Sequence, residues 1–222
     1  MLRTLGPLGR RLEAAGFDLV APNAGHRLSD PELAALTEWM TARYRDQGQT
    51  ASGDFSDGRF WDAGEHYDWF QSSTDTATGK KTYQALERSL DAVTAAMRER
   101  NVVGVVGFSQ GAAMATVVGA LATRGDARFA GIRWGMFLSG FKPMFDAPDL
   151  FTYPAGALPR LLAIGARDPI FPGNAEYLRS VSRAFDGGAE ELVVVPELGH
   201  DVPSTPEVVE RCVKFALDAS GG

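Results

Sequence analysis

The sequence of 222 residues has little of the chemistry that binds metals or forms disulfides, with one cysteine and three histidines. A single cysteine excludes an intrachain disulfide and a cysteine-based metal site. Cys212 falls in an apolar helical pattern, which predicts a buried thiol. The histidines lack the i, i+4 spacing typical of a metal-binding helix. We therefore expect no metal and no other cofactor.

The chain also lacks long apolar runs and basic clusters. No stretch reaches transmembrane length, and the first residues lack the apolar core of a signal peptide, so we expect a cytoplasmic protein without a membrane partner. Lysine and arginine total 22 against 28 acidic residues, a net charge of −6. That balance argues against nucleic acids as partners.

The length and the 45% hydrophobic content predict one globular domain over residues 1–222. Apolar segments typical of strands alternate with helical patterns, which predicts an α/β fold with a mainly parallel sheet. Strands are predicted at 17–21, 102–106, 132–138, 160–164 and 191–195. Helices are predicted at 7–15, 31–46 (with Asp30 as N-cap), 80–100, 173–186 and 205–218, with another directly after residue 109.

Two segments, 47–78 and 141–158, read as long loops. Loops of this length in a compact domain are usually functional. They are rich in aromatic residues, namely Phe55, Phe60, Trp61, Tyr67, Trp69, Phe70, Phe141, Phe145, Phe151 and Tyr153. These side chains would either form an apolar acyl pocket or lid, or pack on the edge of the core, and the sequence favours neither.

A nucleophile elbow is indicated by Gly107-Phe108-Ser109-Gln110-Gly111, which follows an apolar strand and leads into a helix. The glycines allow the strand and helix to approach closely while the turn exposes the hydroxyl of Ser109. The backbone N–H of Gln110 would lie at the helix N-terminus, where it can stabilise an oxyanion.

A serine nucleophile needs a base and an acid that orients the base, and in this fold class they follow the serine in the order acid, histidine. His200 is the one histidine after Ser109, and it follows a predicted strand. Asp168 follows another strand and is the predicted acid. Asp201 is the rival acid, but a residue adjacent to His200 is poorly placed to bond its Nδ1.

These motifs resemble the FSH family of serine hydrolases in the α/β-hydrolase superfamily, which includes eukaryotic esterases and fungal thioesterases that release polyketides. The resemblance covers roughly residues 7–217. The matching segments are Ala21-Pro22, His66-Tyr67-Asp68-Trp69-Phe70, Val106 through Ala112, Gly165 through Asp168 with Pro172, and Gly199-His200 with Pro203. The resemblance implies an α/β-hydrolase fold, with Ser109 as nucleophile, His200 as base and Asp168 as orienting acid.

The sequence departs from the family at its start. Family members begin with an apolar strand and a His-Gly loop that supplies a second oxyanion-hole N–H, whereas only six residues precede the helix at Pro7 here. We expect either that the sequence starts downstream of the natural start, or that the sheet is completed differently, for instance by another chain. An unfilled strand position would favour homo-oligomers.

Together the residues predict a serine hydrolase that cleaves small-molecule carboxylic esters or thioesters through an acyl-enzyme on Ser109. Two alternatives remain. One is a binding protein that keeps the fold without turnover, and the other is an acyltransferase that uses the same three residues.

Overall fold

The computed structural model describes residues 5–46, 65–74, 76–79, 81–141, 158–171 and 190–221. The helices are α1 (Gly6–Ala14), α2 (Asp30–Asp46), α3 (Leu86–Met97), α4 (Gln110–Thr123) and α5 (Pro206–Ser220). The strands are β1 (His26–Arg27), β2 (Tyr67–Asp68), β3 (Gln71–Thr74), β4 (Lys81–Gln84), β5 (Gly104–Phe108), β6 (Trp134–Leu138), β7 (Arg160–Gly165) and β8 (Glu190–Val195).

The central sheet is parallel, as predicted, with strand order β5-β6-β7-β8. Every residue of β6 and β7 is buried, which explains why these strands are nearly continuous apolar runs rather than alternating patterns, with Arg160 at the start of β7 as the exception. Because the strands are parallel, their carboxyl ends meet at one edge of the sheet. Ser109, Asp168 and His200 follow β5, β7 and β8 respectively, so the topology directs all three to that edge.

Helices cover both faces of the sheet, in agreement with the predicted α/β-hydrolase fold. On one face α1 and α5 pack against Met136, Leu138 and Leu161, and the buried thiol of Cys212 lies in this cluster as predicted. On the other face α4 packs against Phe137 and Leu162. Alternate residues of β6 therefore enter opposite layers. Burial of these large side chains is the main stabilising contribution, about 1.5–3 kcal/mol for each.

The strand predicted at 17–21 is wrong, because this segment pairs with no described strand. Its residues alternate between half-buried and exposed, as strand residues do. A groove of about 660 Å³ is lined both by this segment and by β5, and it separates the two. The backbone of the segment therefore has no neighbouring strand with which to form a ladder.

The helix predicted over 80–100 is wrong in its first turn. Lys81–Gln84 forms β4 and pairs antiparallel with β3, with Ser72 opposite Tyr83. The helix begins only at Leu86, after Ala85 adopts a left-handed conformation with φ of +66°. The same hairpin, together with β2, corrects the prediction of a continuous loop over 47–78.

Helix α2 is capped by Ser29 rather than by Asp30 as predicted. The Ser29 carbonyl accepts the Leu33 N–H, and the Glu32 carboxylate accepts hydrogen bonds from both the N–H and the hydroxyl of Ser29. The Glu32 carboxylate thus forms one half of a capping box on the Ser29 N–H, and the Ser29 hydroxyl donates to the same carboxylate. These hydrogen bonds lower the pKa of Glu32 to about 2.

The other predicted strands and helices lie within a few residues of the observed bounds, except the helix predicted at 173–186, which falls outside the described residues. So do residues 47–64 and 142–157 of the two long loops. In the ranges that the structure describes, no helix is long and apolar enough to cross a membrane.

Candidate active site

Ser109 lies at a strained turn between β5 and α4, with φ of +51° and ψ of −120°. The turn is tight because Gly107 has no side chain: a Cβ there would lie 2.1 Å from the carbonyl oxygen of Gly111. Non-glycine residues in such backbone regions cost about 1–3 kcal/mol and cluster at functional sites. The local geometry is therefore that of the predicted elbow.

The structure brings the three residues predicted from the sequence into one hydrogen-bonded row. His200 Nε2 lies 2.9 Å from Ser109 Oγ, and His200 Nδ1 lies 2.7 Å from Asp168 Oδ2. The side chains of His200 and Asp168 are 4% and 0% exposed. The imidazole thus contacts a hydroxyl at one nitrogen and a buried carboxylate at the other.

The second oxygen of the Asp168 carboxylate is held by the backbone. Oδ1 accepts hydrogen bonds of 2.9 Å from Ile170 N–H and 3.0 Å from Phe171 N–H. Both oxygens therefore have partners, and the carboxylate is fixed in the plane that faces His200. Asp201 has a different role, because its Oδ1 accepts the N–H of Val202.

The loops after β7 and β8 are packed directly against each other. A Cβ on Gly165 would lie 2.1 Å from the carbonyl oxygen of Leu198, and Arg167 N–H donates to that same oxygen at 3.0 Å. Ala166 N–H donates to the carbonyl of Val195 at 2.9 Å. These contacts fix the position of the loop that carries Asp168 relative to the loop that carries His200.

Two residues that support these loops were not predicted from the sequence. Ser139 is fully buried at the end of β6, with φ of +44°, and its hydroxyl donates to the Asp201 carbonyl at 3.2 Å. Tyr44 on α2 is buried beside the site, where burial and the charges of Asp168 and Asp201 raise its pKa to about 12. The Ser139-Gly140 pair after a predicted strand could have indicated Ser139, whereas no sequence pattern indicated Tyr44.

Aromatic rings extend from His200 toward the 67–71 segment. Phe108 and Phe171 lie 5.1 and 5.5 Å from the imidazole, centroid to centroid. Phe171 contacts Phe141 at 5.2 Å, and Phe141 contacts Phe70 at 6.4 Å. We call Phe70, Phe141 and Phe171 the aromatic row.

The aromatic row fits both interpretations of the loop aromatics. Phe70 is 2% exposed and belongs to the core, whereas Phe141 and Phe171 are only half-buried. Of the remaining predicted loop aromatics, Tyr67 and Trp69 are half-buried. Phe55, Phe60, Trp61, Phe145, Phe151 and Tyr153 lie outside the described residues.

Gln110 begins α4, so its N–H is among the amides at the helix N-terminus that have no partner within the helix. Its side chain reaches across to the 67–71 segment, where Oε1 accepts the Trp69 N–H at 2.7 Å and Nε2 donates to the Phe70 carbonyl at 3.0 Å. The neighbouring Asp68 is half-buried. Burial raises the pKa of Asp68 to about 6, and the nearby Glu32 adds to the rise.

Within the described ranges, no group of three or more His, Cys, Asp or Glu side chains is arranged to hold a metal ion. The chemistry that this arrangement supports is acid–base chemistry at the Ser109 hydroxyl, with the helix N-terminus available for a developing negative charge.

A family model described as "Serine hydrolase (FSH1)" matches residues 3–212. Among curated proteins, the chain is similar to esterase OVCA2 of Bos taurus, with 32% identity over 60% of this chain and 57% of that protein. Esterase OVCA2 of Danio rerio is 29% identical over 80% of this chain and 75% of that protein. The alignments with the Bos taurus, Xenopus tropicalis and Mus musculus proteins span 57%, 59% and 65% of their lengths.

Among solved structures, acyl-protein thioesterase 2 of Zea mays has a similar fold, with a TM-score of 0.50 and 19% sequence identity. The superposition covers 71% of this chain and 74% of that one. At this level of identity the likeness concerns the fold alone.

Proposed function

Because this chain belongs to the FSH1 serine hydrolase family, we propose that it cleaves carboxylic esters or thioesters through an acyl-enzyme on Ser109. The observation that carries the proposal is the unbroken row from Ser109 Oγ through His200 to the Asp168 carboxylate, with contacts of 2.9 and 2.7 Å. The esterase names of the curated relatives support the same reaction class.

In the acylation step His200 Nε2 takes the proton of the Ser109 hydroxyl as Oγ attacks the acyl carbon. The carbonyl π electrons move to oxygen, and the N–H of Gln110 stabilises the resulting oxyanion. His200 then gives its proton to the departing alkoxide or thiolate as that bond breaks. The products of this step are a free alcohol or thiol and an acylated Ser109.

In the deacylation step water takes the place of the leaving group. His200 removes a proton from the water, the hydroxide adds to the acyl carbon, and the proton passes to Ser109 Oγ as the acid is released. Asp168 keeps Nδ1 protonated throughout, so Nε2 is free to accept a proton, and it stabilises the imidazolium. Burial of the Asp168–His200 pair strengthens this interaction because water is excluded.

The proposal is tested by steady-state hydrolysis of p-nitrophenyl esters and of an acyl thioester by wild type, Ser109→Ala and Ser204→Ala. Ser204 is an exposed serine near His200, so its variant is a matched control. We expect Ser109→Ala to lose at least about 10³-fold in kcat on both substrate types, while Ser204→Ala stays near wild type. Equal rates for wild type and Ser109→Ala would contradict the proposal.

The acyltransferase alternative is tested in the same assay. Adding an alcohol or amine acceptor and analysing products separates transfer from hydrolysis. The free acid as the main product supports the hydrolase.

A further inference from the structure

We propose that the side chain of Gln110 is a positioning residue, which holds the aromatic row next to the imidazole of His200 and so sets the preference for large apolar acyl groups. This inference rests on the proposed function. It adds a task for the Gln110 carboxamide that is separate from the oxyanion role of its backbone N–H.

The Gln110 carboxamide binds one short segment through both its oxygen and its nitrogen. Oε1 accepts the Trp69 N–H, and Nε2 donates to the Phe70 carbonyl. Two consecutive residues from a distant part of the chain are thus bound to the residue that follows Ser109.

The same segment is held from its other side. The hydroxyl of Ser89, which is fully buried on α3, donates to the Trp69 carbonyl at 2.5 Å and accepts the Gly25 N–H at 2.9 Å. The peptide groups of Trp69 therefore have a fixed donor on one side and a fixed acceptor on the other. Two bonds from opposite directions define the position of the segment far better than one.

This segment carries Phe70, the first ring of the aromatic row. Phe70 contacts Phe141, Phe141 contacts Phe171, and Phe171 contacts the imidazole of His200. Phe141 and Phe171 are half-buried, so each presents apolar surface next to the base. Displacement of Phe70 would change the wall that an acyl chain contacts.

The substrate class that follows is an ester or thioester with an apolar acyl chain long enough to reach this wall. An acetyl group has a single methyl and offers little apolar surface to this wall, so acetate esters report mainly on Ser109, His200 and Asp168. The ratio of kcat/KM for the octanoate ester to kcat/KM for the acetate ester therefore measures how well the aromatic row binds the acyl chain. The kcat/KM for acetate alone measures the acid–base chemistry.

The test combines hydrogen exchange with kinetics on four proteins: wild type, Gln110→Met, Ser89→Ala and Gln84→Met. Gln110→Met keeps the size of the side chain and the backbone N–H but removes the carboxamide. Ser89→Ala releases the same segment from the side away from the elbow. Gln84→Met is the matched control, because Gln84 is exposed on β4.

We expect the Trp69 amide to exchange about tenfold faster in Gln110→Met, since a hydrogen bond of ordinary strength is lost. In both Gln110→Met and Ser89→Ala the KM for p-nitrophenyl octanoate should rise about tenfold relative to that for acetate. In Ser89→Ala, kcat for acetate should stay near the wild-type value. Gln84→Met should match wild type in every measurement.

Unchanged exchange at Trp69 in Gln110→Met would overturn the inference, whatever the activity. Equal losses on octanoate and acetate, or a Ser89→Ala variant without the selective defect, would overturn it as well. If wild type hydrolyses neither ester, the proposed function fails. The exchange measurement then still decides whether Gln110 holds the segment.

Discussion

His200 and Asp168 are joined by a contact of 2.7 Å from Nδ1 to Oδ2, and both side chains are almost completely buried. Their loops are locked together by the close approach of Gly165 to the carbonyl of Leu198. Asp168 is oriented in turn by two backbone N–H donors. The backbone therefore sets the geometry of the pair before any substrate binds.

The first prediction concerns the orienting acid. In Asp168→Asn the amide would donate to Nδ1, which leaves Nε2 protonated and unable to take the Ser109 proton. We expect kcat for ester hydrolysis to fall by about 10³–10⁴-fold with little change in KM. Asp201→Asn is the control, because its Oδ1 can still accept the Val202 N–H. Comparable losses in both variants would show that Asp168 has no special role.

The second prediction concerns the elbow glycine. A Cβ at position 107 would lie 2.1 Å from a backbone oxygen, and backbone cannot move aside as a side chain can. We expect Gly107→Ala to lower the free energy of unfolding by at least about 3 kcal/mol, as measured by urea denaturation. At Gly199 the nearest atom is 4.0 Å away. Gly199→Ala should therefore change stability by no more than about 0.5 kcal/mol.

A third prediction follows from the buried carboxyl of Asp68. Its folded-state pKa is about 6, above the ordinary value of 3.8. The folded protein therefore binds the proton more tightly than the unfolded chain, so this group stabilises the fold below pH 3.8 and the contribution is lost as pH rises through 6. Asp68→Asn removes the ionisation and keeps the size of the side chain.

The measurement for Asp68 is the free energy of unfolding as a function of pH. We expect the stability of Asp68→Asn relative to wild type to increase between about pH 3.8 and pH 6 and then to level off. The exposed Asp18→Asn variant serves as control. A stability difference that falls with rising pH would mean that the Asp68 carboxylate is stabilised by its surroundings.

Much of the fold and of the candidate site could be predicted from local sequence patterns. The elbow motif placed Ser109 between strand and helix, and strand ends placed Asp168 and His200 at the same edge of the sheet. These inferences depend only on periodicity, on chain order and on the parallel topology. The roles of the three residues in catalysis stay predictions until they are measured.

The features that the sequence did not predict depend on contacts between distant residues. The bond from Gln110 to Trp69 spans 41 positions, and the bond from Ser139 to Asp201 spans 62. The β3–β4 hairpin depends on pairing across residues 75–80, where local propensity favoured a loop and then a helix. At 17–21 the strand pattern is present, but pairing requires a neighbour that the described sheet does not provide.

The measurement that tests the central claim most directly is the intact mass of the protein after incubation with a fluorophosphonate, for wild type and for Ser109→Ala. An activated serine displaces fluoride and forms one stable covalent adduct. The account predicts a single adduct on wild type and none on Ser109→Ala. A well-folded wild type without an adduct, or an adduct of equal yield on Ser109→Ala, would contradict it.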